Sequence, residues 1–297
     1  MAAQLEAIKD IIECIEVPFL TQEEVDESGR QIVNILGTSI DRRTRREEFD
    51  EEDSDPEDEA FTEFAKEEED TLHTALSEVL GALFKTHKNM TITIINYFYK
   101  DVLSKFLAPT VSHHDHKFAI FIIDDIIEFI GPELVPNEWP AFSEAIIKYC
   151  TSKNEAVRQA CAYGIGMLAK TSSPEFFAAT SNVCLETLKA ALQFTPNEEK
   201  PWGHAKDNAV AALCKMIKYQ FSNIDLPAVM TQFVAELPLK FDKEEAKECH
   251  DYFADLFLQR PDLMLQFTGK AIKVFGNILE TKYISPETTA KAKALLA

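Results

Sequence analysis

Three groups of residues in this 297-residue chain have types and spacings that invite a chemical reading. His113-His114-Asp115-His116 gathers imidazoles and a carboxylate, the donors that zinc prefers, into four successive positions. They fall where a helix is expected to start, and no second ligand cluster accompanies them at fixed spacing. A solvated capping turn is therefore the stronger reading, and no metal is expected. Asp124, Asp125 and Glu128 offer carboxylates for acid–base work, but Asp125 and Glu128 share a helical face with no nucleophile or base paired to them. Six cysteines (Cys14, Cys150, Cys161, Cys184, Cys214, Cys249) show no C-x-x-C spacing and sit mostly on apolar helix faces, as reduced, buried thiols do. There is no G-x-x-x-x-G-K, G-x-S-x-G, G-x-G-x-x-G or H-E-x-x-H. Gly164-Ile165-Gly166 lies inside a helical pattern rather than after a strand, so it is no phosphate loop. Neither an enzyme nor a cofactor is expected.

The elements that carry these residues are helices. Asn154 is a good N-cap, because its side-chain oxygen can accept an unpaired amide of the first turn. Val157, Cys161, Gly164, Ile165 and Leu168 then share a face, while Ala160, Gly164 and Gly166 leave room for another helix to approach closely. This order resembles the second helix of a HEAT repeat. The pattern recurs imperfectly at 116–127, 205–217 and 244–257, at the 40–50-residue spacing of two-helix repeats. No one repeat could bury its apolar stripe alone, so neighbours must stack. The fold class expected is all-α, a right-handed HEAT-repeat α-solenoid.

Composition agrees. Hydrophobic residues make up 46%, glycine is scarce (9) and phenylalanine abundant (21), as suits packed helices. Strand and hairpin signals are few. A net charge of −20 speaks against direct nucleic-acid binding, which needs clustered Lys and Arg, and favours basic partners. No apolar run approaches the length of a membrane span, and residues 1–20 do not read as a signal peptide.

Along the chain, an orphan helix over 3–17 carries the stripe Leu5, Ile8, Ile11, Ile12 and Ile15, and about six helical pairs follow, forming one array over 1–297. The composition breaks once. Glu47 to Asp70 holds fifteen acidic residues against Lys66 alone, a net of −14. Ser54-Asp55-Pro56 interrupts a helix and like charges repel, so residues 48–62 read as a disordered acidic loop within the first pair, carrying Glu51, Glu52, Asp53, Asp55, Glu57, Asp58 and Glu59.

With the repeats laid out, four stretches resemble the C-terminal part of the importin beta-3 (karyopherin beta-3) family of nuclear import receptors, in the importin-β superfamily. They are Leu5–Asp10 with Cys14–Val17, the acidic insertion, Phe121–Glu128 with Val157–Gly166, and Leu237-Pro238-Leu239 with Asp242–Ala246. The match covers most of this chain but only the last portion of a receptor, so Met1 is expected to be a cut within a longer polypeptide. The resemblance implies a shuttling receptor of cytoplasm and nucleus, transiently at the nuclear pore, that wraps basic protein cargo and binds Phe-Gly nucleoporins. Ran binding is implied for the full-length receptor, whose N-terminal repeats make the principal Ran contacts. The alternative is a static HEAT scaffold subunit, of phosphatase or chromosome-organising type, holding fixed partners.

In such an array the second helices line the concave wall. Superposing the repeats puts Asp125, Gly166, Lys215 and Asp255 in one row and Phe121, Ala162, Ala211 and Asp251 in another, flanked by Glu128 and Arg158. Phe121, Asp125, Glu128, Arg158, Lys215, Asp251 and Asp255 are thus the candidate partner contacts; the competing reading is a solvated wall whose charges pair between repeats.

The acidic run is the feature most readily tested. A charge of −14 on one segment should raise the encounter rate with a basic protein, an effect screened over roughly 8 Å at physiological salt. Replacing residues 48–62 with a Gly/Ser linker is expected to slow association with a basic protein in stopped-flow measurements at low salt, with the difference shrinking by about 0.5 M salt. Equal rates at low salt would leave the run a solubilising insert.

Overall fold

Caps and prolines cut the chain where the sequence signals stand. The computed structural model of the chain describes residues 1–50, 56–194 and 203–297, without the side chains of 43–50, 56–63, 66 and 101. Its helices are α1 (Ala2–Ile15), α2 (Gln22–Asp50), α3 (Pro56–His87), α4 (Ile92–Phe98), α5 (Ser104–Phe106), α6 (His113–Asp125), α7 (Trp139–Tyr149), α8 (Glu155–Thr171), α9 (Pro174–Ala191), α10 (His204–Gln220), α11 (Leu226–Glu236), α12 (Lys243–Gln259), α13 (Pro261–Met264), α14 (Thr268–Ile278) and α15 (Pro286–Leu296). Wider π turns at Tyr99–Leu103 and Ile126–Ile130 follow α4 and α6. No strand occurs among the described residues. Asn154 caps α8 by accepting the Val157 amide at 3.1 Å, and Ser173, Asp225, Asp242 and Ser285 cap α9, α11, α12 and α15 in the same way.

The chain divides into two compact units, Met1–Pro140 and Ala141–Ala297. In the first, α1 and α6 both pack along α3. The α3 stripe Leu72, Leu76, Val79, Leu80 and Leu83 is fully inside, as its spacing predicts. The α1 stripe divides: Leu5 and Ile12 are buried, whereas Ile8, Ile11 and Ile15 are 46%, 57% and 40% exposed, because the contact with α3 covers a narrower band than the apolar face. On α2, Val25, Ile32 and Leu36 face inward, and the next inward position is Ser39. Its hydroxyl meets the Glu69 carboxylate and, at 2.9 Å, His73 Nε2, while Arg42 Nε donates to Glu69 at 2.7 Å. This buried polar cluster joins α2 to α3.

In the second unit α10 lies between α8 and α12, and α12 packs on α15. α8 is buried nearly all round: besides the predicted face, Ala160, Ala162, Gly166, Met167 and Ala169 are inside. Gly166 explains the close approach. A Cβ there would stand 2.9 Å from Lys215 Cδ and 3.3 Å from Ala212 Cα, so the two helices meet backbone to backbone. Phe253 sits against Phe257 and Phe275, with ring centroids 5.3 Å away in each case, and joins α12 to α14.

Buried polar groups tie down the connections. Asp207 of α10 accepts the amides of Lys240, Phe241 and Asp242 at 2.9, 2.6 and 2.9 Å. Gln220 donates to Ala169 O at 2.8 Å and Ser172 O at 3.2 Å. His87 and His250 accept connector amides in a similar way.

Two glycines should respond oppositely to an added side chain. Gly166→Val is expected to lose about 1–3 kcal/mol by overpacking the α8–α10 contact, read as a lower urea midpoint. Gly276→Ala on α14, where a Cβ meets nothing within 4 Å, should gain up to about 1 kcal/mol from helix propensity. Equal responses would mean that the α8–α10 contact is not close-packed.

Candidate partner-binding surface

The candidate residues of the first unit stand on α6 and the π turn that continues it. The His113–His116 stretch is the helix start expected: Ser112 and Asp115 form a reciprocal capping box, with the Asp115 amide donating to Ser112 Oγ at 3.3 Å. Among the described residues no group of three or more His, Cys, Asp or Glu has the arrangement of a metal site. His114 and Lys117 instead flank Asp70 of α3, at 3.1 and 3.0 Å, and hold its carboxyl well below the usual range. Phe121 lies one turn on, with Lys117 Nζ 5.7 Å from its ring centre.

Asp124 and Asp125 close α6. Asp124 points into the core, its Oδ1 has no partner among the described residues, and burial pushes its carboxyl well above the ordinary range. Asp125 lies on the backbone of α3, filling the space a Cβ at Gly81 would take. Together with Lys9 and Glu13 of α1, Glu78 and Lys85 of α3, and Phe129, it lines a groove of about 250 Å³. Burial first, then the neighbouring charges of Glu128 and Glu78, push Asp125 up to about 7. Lys9 leans instead toward Asp10 and Glu78, at 3.4 and 3.9 Å.

The second unit spends most of its candidate charges internally. Arg158 is 8% exposed; its Nη1 donates to the carbonyls of Ser152 and Lys153, both at 2.8 Å, and its guanidinium lies 4.2 Å from the Phe194 ring centre. Lys215 is 6% exposed and donates to both oxygens of Glu245 on α12, at 2.6 and 2.5 Å. Burial works against its ammonium, but the adjoining carboxylate outweighs this, and Lys215 titrates above its ordinary range. Asp251 and Asp255, one turn apart on α12, are brought together by Lys291 of α15 at 3.0 and 2.8 Å. Burial lowers and these bonds, with Glu287, raise the lysine, for a net rise. The Ala162 and Ala211 positions of the second predicted row are buried, not on a surface.

Helices enter the acidic run from both sides. α2 continues to Asp50 and α3 begins at Pro56, so Glu57, Asp58 and Glu59 belong to α3, where a loop is expected over 48–62. Proline suits a first helical position and glutamate is a good helix former, which favours the longer helix over a break from charge repulsion. Glu51, Glu52, Asp53 and Asp55 lie outside the described residues.

Sequence reasoning missed Glu245, Lys291, Asp70 and Asp207. The partners named above are 30 or more residues away, on other helices or, for Asp207, in a connector, so only a register between repeats could have linked them.

With this geometry in view, two comparisons bear on the class of protein. Residues 1–109 match the family model described as Importin repeat 6. The fold of nearly the whole chain is that of karyopherin solenoids: it superposes on a triple mutant of Kap121p with a TM-score of 0.76 at 17% identity, covering 99% of this chain and 25% of that one. Kap121p bound to RanGTP gives 0.72 at 16% over 99% and 25%, and Kap121p bound to Nup53p gives 0.73 at 18% over 98% and 25%. The chain spans about a quarter of the length of these proteins.

The raised carboxyl of Asp125 makes a signed prediction. Its folded-state value lies above the ordinary aspartate value of about 3.9, so its contribution is fully present below about pH 4 and is lost as pH rises toward about 7. Asp125→Asn should therefore be more stable than the parent by about 1–3 kcal/mol at pH 7.5, with the gap closing below about pH 4 in urea titrations. A gap independent of pH would show that the carboxyl ionises normally in the groove.

Proposed function

We propose that this chain is a segment of an importin-β-type nuclear transport receptor, of the importin beta-3 kind, and that it binds protein cargo and nucleoporins rather than catalysing a reaction. The observation that carries this reading is the importin repeat over residues 1–109 combined with a karyopherin fold over 99% of the chain. Kap121p has been solved bound to RanGTP, to Nup53p, to Pho4p and to the SUMO protease Ulp1p. By analogy, the partners proposed here are basic protein cargo and Phe-Gly nucleoporins, with Ran engaged by the full-length receptor, which would shuttle between cytoplasm and nucleus.

On this reading the helical pairs form one continuous array. The partner-facing part of its wall is Phe121, Asp125, Glu128, Asp251 and Asp255, with Arg158 and Lys215 bracing it from inside. The acidic run supplies long-range attraction, which raises association rate more than final affinity. A solenoid suits this role because each repeat adds binding surface while touching only its neighbours.

Two measurements test the proposal. Immobilised Phe-Gly repeats should retain the chain from solution; a static scaffold would pass through. Asp125→Lys combined with Asp255→Lys should weaken binding to a basic protein about tenfold or more, while the helical circular dichroism is retained. Unchanged binding would remove these positions from the wall, and unfolding would make them structural.

A further inference from the structure

Two buried histidines, unrelated to the wall, share one arrangement. His87 ends α3; its Nε2 accepts the amides of both Phe19 and Leu20, each at 3.2 Å, from the connector between α1 and α2. Its Nδ1 lies 2.7 Å from Thr86 Oγ1, which donates at 2.7 Å to Ala82 O. His250, in the middle of α12, accepts the Leu239 amide on Nε2 at 3.2 Å from the connector between α11 and α12. Its Nδ1 sits 2.8 Å from Tyr283 O, in the connector between α14 and α15. In each ring Nε2 must offer a lone pair and Nδ1 must carry the proton, so both bond sets exist only for neutral imidazole.

We infer that His87 and His250 are proton-released latches: in acid each lets go of the connector it holds, freeing residues 16–21 in the first unit and loosening 237–242 in the second, while the helices stay folded. A proton on Nε2 would set its N–H against two amide N–H groups at His87 and one at His250, on side chains that are themselves buried. No neighbouring charge would compensate. Around His87, Lys85 and Lys88 are cations on or beside α3, and Glu24 of α2 is tied to the Thr21 amide and hydroxyl, both at 2.8 Å. Around His250, Asp207 of α10 holds the amides of residues 240–242, Asp251 of α12 is bonded to Thr288 and Lys291, and Glu287 of α15 is paired with Lys291. Neither imidazole is in an ion pair among the described residues.

Burial holds both imidazoles below the ordinary histidine range, at His250 against an opposing pull from the Tyr283 carbonyl. The sign follows: the latch contribution is complete above about pH 6.5 and is lost as pH falls through the folded-state value. The two latches should open to different extents. The first connector carries exposed Val17 and Phe19, and His87 holds two of its amides. The second also has Leu237 and Leu239 buried and three amides on Asp207, so it loosens without leaving.

Amide hydrogen exchange, corrected for the intrinsic pH dependence of the rate, tests this on the intact chain. Between about pH 7.5 and about pH 5 the protection of the Phe19 and Leu20 amides should fall about tenfold or more, and that of Leu239 by less, while core amides such as Leu80 and Leu213 hold. His87→Gln and His250→Gln replace the ring with an acceptor that does not titrate, and each should abolish the acid response of its own connector. The inference is overturned if connector protection is unchanged in acid, if core amides lose protection equally, or if the glutamine variants respond like the parent. Should a variant not fold, the parent decides by NMR: imidazoles that titrate without moving the Phe19, Leu20 or Leu239 amide signals would also overturn it.

Discussion

The constraint on which the rest of this structure depends is that no helix here can bury its apolar stripe against its own hairpin partner alone. In each unit the second helices pack side by side, α1 and α6 on α3, and α8, α10, α12 and α15 in succession. That contact demands small residues where backbones meet, and Gly166 against Ala212 is its clearest instance. It also sets which side chains remain for a surface. A helix flanked on both sides, such as α10 between α8 and α12, has almost no free face, whereas α1, packed chiefly on α3, shows three isoleucines to solvent. Stability in such an arrangement is local, a sum over neighbouring interfaces, so a change in one contact should be felt in one unit first.

Side-by-side packing leaves a second problem, the backbone of the connections. These segments carry amides with no helical partner, and the chain satisfies several of them with buried side chains that reach out from helices: Asp207, His87 and His250. Asp207 illustrates the balance of forces. Burial raises its carboxyl, while three amide donors pull the other way without fully offsetting the burial. Bonds of this kind contribute modestly to net stability, but breaking one strands a buried polar group, so they define where the loops must lie.

Helix positions, caps and core faces were largely legible in the sequence because they rest on local signals. Asn154, Ser173-Pro174 and Ser285-Pro286 mark helix starts within a residue, and the α3 stripe falls inside as its 3.6-residue period requires. What period cannot report is which neighbour a face meets. Ile8, Ile11 and Ile15 are periodic yet exposed, and Ser39 is polar yet buried, because the helix opposite supplies Glu69 and His73. A fixed offset between repeats lines Lys215 up with Asp255, whereas the real register gives Lys215 to Glu245 and leaves Asp255 to Lys291. Tertiary register, not residue type, decides those pairings.

The outcome is an asymmetry in how the two units handle charge. In the second, lysines of α10 and α15 neutralise the carboxylates of α12 through Lys215–Glu245, Lys218–Glu248 and Lys291 with Asp251 and Asp255. Such pairs hold adjacent repeats in register, and when buried they cost much to break by removing one member. In the first unit, Asp125 has no hydrogen-bond or ion-pair partner among the described residues and stands beside Glu78 and Glu128 over the α3 backbone. An unpaired carboxylate in that setting is destabilising at neutral pH. The same residue therefore weakens the free unit, and under the function proposed above a basic partner would offset that cost on binding.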